Sequence, residues 1–215
     1  MRVSICCNAF PKQSGIQFAG EQIKKLTCHE VFAHSDCVLT DDCEKSTVLE
    51  SEGIKVAFIV VEDDQSSSVP GEHTEDRSAY IYRAVREIRL AKAQNDFVIV
   101  NYPCDGITGI YPPARIRQVC RTMVKSGADV VLCRINGGIS SFELCRGANI
   151  LYGCGEQESG MIVHLDISDK IELQFIPVKI TETQIEPLEG KERQKSLEQL
   201  VVNSEKLKRS SEQKN

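Results

Sequence analysis

The sequence predicts an α/β fold, a three-layer sandwich in which a mostly parallel sheet is flanked by helices. Three observations predict it. Phe97-Val98-Ile99-Val100 is an unbroken apolar run, the pattern of a strand covered on both faces. A helix with one apolar face follows, through Ile116, Val119, Cys120, Met123 and Val124, and a second apolar run, Val130-Val131-Leu132, comes after it. Earlier in the chain the order repeats, since the run Lys55–Val60 precedes a helical pattern through Ile81, Ala84, Val85, Ile88 and Ala91. Strand, helix, strand in alternation is the signature of parallel pairing through crossovers.

Taken in order, Arg2–Cys7 reads as a first strand, short and rich in β-branched residues. The loop Asn8–Phe18 carries Pro11, Ser14 and Gly15, and Ala19–Phe32 has a weak helical pattern through Ile23, Leu26 and Val31. Val38–Asp42 ends in two carboxylates, of which Asp42 can cap a short helix over Cys43–Glu52 closed by Gly53. A polar loop, Glu62–Glu75, leads to the helix through Ile81. The run at Phe97 is expected to stop at Asn101–Gly106, where Pro103 and Gly106 work against further ladder pairing. Pro112 and Pro113 suit a helix start, where a missing N–H costs nothing, and Gly127 suits its end. Residues 136–160 are rich in Gly and Ser and read as loop. Met161–Leu165 and Lys170–Ile180 read as a hairpin, with Asp166 near its turn. A helix over Lys191–Lys208 follows. Residues 1–208 are expected to form a single domain, and 209–215 a charged, disordered tail.

Composition narrows the function classes. The chain has 215 residues, 41% hydrophobic and 27% charged, with a formal net charge of −5. That sign predicts no nucleic-acid partner and no attraction to an anionic membrane. No apolar run approaches the roughly 20 residues needed to span a bilayer. The start, MRVSICCNAF, has too short an apolar core for a signal peptide. A cytoplasmic location is the expectation. Ten cysteines include no CxxC pair, so most are expected to be small buried hydrophobes in a reducing compartment.

Asp105 is the candidate of most interest, a carboxylate at the carboxyl end of a central strand, where open α/β sheets bind ligands. Around it, NYPCDGITGIYPPARIRQV resembles a segment of the sugar cytidylyltransferases, in particular the CMP-KDO synthetases, through Asn101, Asp105, Pro112, Pro113, Ile116, Arg117, Gln118 and Val119. Pro187-Leu188-Glu189 and Ser196-Leu197-Glu198-Gln199-Leu200 resemble a later motif of the same family, in the same order. The resemblance implies a Rossmann-like, GT-A-like nucleotidyltransferase fold that transfers CMP from CTP to an acidic, KDO-like sugar in lipopolysaccharide biosynthesis, releasing pyrophosphate. It implies Asp105 as the ligand of a catalytic Mg²⁺ and Lys12 as the cation on the triphosphate. It further implies Asn8, Ala9, Lys12, Ser14, Gly15, Asp76, Arg77, Pro103 and Cys104 as nucleotide contacts, and a homodimer. The loop after the first strand lacks the family's two arginines, and His73-Thr74-Glu75 replace its Ser-Gly-Thr. These departures open a second reading, a non-catalytic protein of that fold that binds a nucleotide or sugar or assists an active partner. A third is a transferase of altered nucleotide or acceptor choice.

Overall fold

A computed structural model of the chain describes residues 1–7, 37–40, 46–61, 77–136, 138–156, 159–180 and 185–212. Among these, eleven strands form one mixed sheet and three helices pack on it. The strands are β1 Arg2–Cys7, β2 Cys37–Thr40, β3 Thr47–Ser51, β4 Ile54–Val60, β5 Phe97–Thr108 and β6 Val130–Asn136, followed by β7 Gly138–Cys145, β8 Ala148–Glu156, β9 Ser159–Ile167, β10 Ile171–Ile180 and β11 Ile185–Pro187. The helices are α1 Arg77–Gln94, α2 Ala114–Lys125 and α3 Gly190–Glu212.

The centre follows the expected logic. β4, β5, β6 and β8 pair in parallel, with α1 and α2 as the crossovers between β4, β5 and β6. Two carboxylates fix the strand entries. Asp96 accepts the Lys55 N–H at 2.8 Å, and Asp129 accepts both the Val98 N–H at 2.8 Å and the Lys92 ammonium at 2.8 Å. The apolar stripe of α2 is the one read from its spacing, with Ile116, Val119, Cys120, Met123 and Val124 all buried.

The rest of the sheet corrects the mostly parallel, Rossmann-like expectation. Six of the ten strand pairings are antiparallel and four are parallel. The reason lies after β6, where the chain uses hairpins instead of helical crossovers. β7–β8, β8–β9, β9–β10 and β10–β11 are consecutive antiparallel pairs, and β1 joins them against β9. This antiparallel half lies over one face of the parallel half. Val3, Met161, Val163 and Leu165 share one apolar cluster with Phe58, Ile99, Leu132 and Leu151. The opposite face is closed by α1 and α2 around Ile59, Val98, Val100, Val131 and Ile150.

Local expectations differ at four places. The helix expected over Cys43–Glu52 is strand β3 where it is described. Glu52 and Gly53 both have positive φ, 52° and 81°, and form the two-residue turn of the β3–β4 hairpin rather than a helix end. Arg146 and Gly147, at φ 52° and 86°, do the same between β7 and β8, inside the stretch read as loop. β5 does not stop at Asn101 but runs to Thr108, with a register irregularity between Pro103 and Thr108 that absorbs the proline. Asp166 sits within β9, not in the turn, which is Ser168–Lys170. The helix expected over Ala19–Phe32 and the loop Glu62–Glu75 lie outside the described residues.

Candidate functional site

The carboxyl ends of β5 and β6 hold a layered polar core. Tyr102 on β5 is fully buried and stacks on Tyr80 of α1 with ring centroids 6.4 Å apart, their hydroxyls 3.0 Å from each other. Two residues on, Cys104 is buried with its Sγ 3.4 Å from that of Cys133 on β6. Cys104 is therefore packed between two strands of the core.

Beside them Glu143 of β7 gathers three partners. Arg121 Nε donates to it at 2.7 Å, the Tyr152 hydroxyl donates at 3.1 Å, and an Arg117 nitrogen stands at 3.6 Å. Burial pushes the Tyr152 phenol well up, reinforced by neighbouring Cys120 and Glu143, so it stays protonated and donating. Both arginines reach from α2 to this one carboxylate of β7. Ser140, also on β7, donates its hydroxyl to the Ile110 carbonyl and ties down the loop between β5 and α2.

A second buried pair joins β1 to β9. Ser4 and His164 face each other in the ladder, with Ser4 Oγ 3.1 Å from His164 Nδ1. Burial, with Arg2 nearby, holds the His164 pKa below its ordinary value, so the ring is neutral. Its Nε2 is buried without a hydrogen-bond partner. A nucleophile–base pair needs a third group orienting the base, and among the described residues none is present at that nitrogen. Asp166 instead pairs with Arg2, at 2.5 Å, and that contact holds its carboxyl below the ordinary value.

Sequence reading missed these groups. Glu143 and Tyr152 fell in the stretch read as loop, and Ser4 meets His164 only through a pairing between positions 160 residues apart. The residues assigned in advance fare differently. Asn8, Ala9, Lys12, Ser14, Gly15 and Asp76 lie outside the described residues, and so do Asp41, Asp42 and His73. Arg77 opens α1, and Pro103 and Asp105 stand on β5, with none of the three side chains described. Among the described residues, no group of three or more His, Cys, Asp or Glu could hold a metal ion. A shallow groove of about 570 Å³ runs along the outer face of α3, lined by that helix alone, including Arg193, Leu197, Glu198 and Val201.

A family model described as bacterial capsule synthesis protein PGA_cap matches residues 39–160, more than half the chain and all of β3 to β8. The chain belongs to the PGA_cap family. A search among curated proteins finds no match. One solved structure, described as a putative 5'-nucleotidase from Staphylococcus aureus in complex with alpha-ketoglutarate, aligns at 14% identity with a TM-score of 0.38. It is covered over 35% of its length, against 78% of this chain, and at that score carries no argument.

Membership of the PGA_cap family overturns the sugar cytidylyltransferase reading, in its active, inactive and altered-specificity forms. Transfer of CMP from CTP to a KDO-like sugar and a role in lipopolysaccharide biosynthesis go with it. The physical reason is that the matched motif is short. A strand end, a carboxylate and a proline at a helix start serve local structure in unrelated strand–helix–strand units, whereas the family match is continuous across six strands and two helices. PGA_cap membership is consistent with a divalent-metal cofactor. The described residues gather no ligand set for one, and the Asp105 side chain is not among them. Among the described residues, no helix is long and apolar enough to cross a membrane.

Proposed function

We propose that this chain serves bacterial capsule synthesis, with a divalent cation, Mg²⁺, held by Asp105 on β5. The observation that supports it is the PGA_cap match over residues 39–160, which takes in β5 and Asp105 together with the strands on both sides. Asp105 lies near the carboxyl end of a central parallel strand, the place where ligands gather in such sheets. Hard carboxylate oxygen suits Mg²⁺. A cytoplasmic location and a homodimer belong to the same proposal.

Calorimetric titration of MgCl₂ into the protein and into Asp105→Asn tests the metal assignment. Binding that is lost in the variant supports it, and equal binding by both refutes it. Removing the chain from its source organism and measuring capsule tests the role. An unchanged capsule would refute it.

A further inference from the structure

The net charge of −5 conceals a segregated surface. α1 and α2 lie side by side on one face of the sheet, and together they carry nine lysines and arginines against one carboxylate, Glu87. Three of the nine are consumed internally, Lys92 by Asp129 and Arg117 and Arg121 by Glu143. The side chain of Arg77 is outside the described residues. Arg83, Arg86, Arg89, Arg115 and Lys125 remain, all exposed, and among the described residues none has an ionic partner. Glu87, the one carboxylate on the two helices, accepts from the Ser46 hydroxyl at 3.2 Å.

Their arrangement is not that of a merely solvated helix. Arg83, Arg86 and Arg89 recur at every third position, which spreads them over about 9 Å of the outer face of α1. Like charges at that spacing repel, so the fold carries them at its own expense. Between and beside them stand two apolar side chains with no cover, Tyr82 at 73% exposure and Leu90 at 55%. Arg115 and Lys125 extend the face onto α2, about 15 Å apart along its axis. Two helices lying on a sheet make a broad face rather than a cleft. Cations whose stems reach past an aromatic ring and a leucine on one helix face are the pattern of a surface that rests on anionic lipid headgroups.

We propose that the outer face of α1 and α2 docks peripherally on an anionic phospholipid surface. Arginine forks hold the phosphates, and Tyr82 and Leu90 enter the headgroup layer. A soluble polyanion would use the same arginines but would gain little from Leu90. This reading is independent of the capsule proposal, because it needs neither metal nor polymer, and the two fail separately.

Co-sedimentation of the full chain with vesicles of phosphatidylglycerol and phosphatidylcholine in equal parts, at low salt, tests it. Binding is expected to these vesicles and not to phosphatidylcholine alone. Arg83→Gln, Arg86→Gln and Arg89→Gln combined should lower the partition coefficient by about 10²-fold, near fivefold for each charge removed. Tyr82→Ser with Leu90→Ser, charges intact, should lower it by about tenfold. Arg193→Gln with Lys195→Gln on α3 should leave it unchanged. All these positions are exposed, and each variant's urea midpoint confirms that it is folded. The proposal is overturned if phosphatidylglycerol vesicles do not bind, or if the triple variant binds like the parent. Indifference to the Tyr82 and Leu90 changes, with release by heparin or a single-stranded oligonucleotide, would also overturn it in favour of a soluble polyanion.

Discussion

Gly153 carries the sharpest stability prediction, because a second glycine provides its control. It lies on β8 with φ 76°, a conformation that costs an L-residue about 1–2 kcal/mol. A Cβ there would also stand 2.8 Å from the Ile135 carbonyl oxygen and 3.1 Å from its Cγ1. The oxygen belongs to the backbone of β6, so the strands must part to relieve the contact, and overpacking of that kind costs a further 1–3 kcal/mol or so. Gly147, at φ 86° in the β7–β8 turn, has nothing within 4 Å of the corresponding Cβ and bears only the conformational cost. Gly153→Ala is therefore expected to lose about 2–5 kcal/mol, and Gly147→Ala about 1–2 kcal/mol. Against a total stability of about 5–15 kcal/mol the first is severe. Urea unfolding followed by far-ultraviolet circular dichroism measures both, with the slopes compared to keep the unfolded states equivalent. Equal losses at the two positions would refute the close approach of β8 to Ile135.

Two further outcomes follow from the buried polar groups. His164 is held below the ordinary histidine value of 6.5 chiefly by burial, so the unfolded chain takes up the proton first. Its contribution is whole above pH 6.5 and is lost as the pH falls through and below that value. The urea midpoint should drop less between neutral and mildly acid pH in His164→Gln than in the parent, and parallel profiles would refute the assignment. Glu143→Gln leaves Arg117 and Arg121 facing a neutral amide. Breaking a buried pair costs about 3–5 kcal/mol, reduced here to about 2 kcal/mol because the Arg121 side chain is 38% exposed. A loss no larger than that of a surface pair would show the cluster to be incidental.

The central strand–helix–strand unit was legible because its signals are local. The apolar runs at Phe97 and Val130 and the stripe through Ile116 and Met123 are periodicities of consecutive residues, and all but the half-buried Phe97 are buried. The turns at Glu52-Gly53 and Arg146-Gly147 were misread, one as a helix end and one as loop. A glycine marks positive φ without saying whether a helix or a hairpin requires it. The motif around Asp105 looked like another family's because a few residues at a strand end carry little information about the remaining sheet.

By itself the sequence determined which segments are apolar enough to be strands and helices, and the alternation that places α1 and α2 on the parallel half. Only the tertiary structure decided that β9 returns to pair with β1, that Ser4 meets His164, that Glu143 gathers Arg117, Arg121 and Tyr152, and that exposed cations collect on one face. Those outcomes depend on contacts between positions far apart in the chain. A pattern read along the chain records each residue's own preference for burial and not the partner it finds.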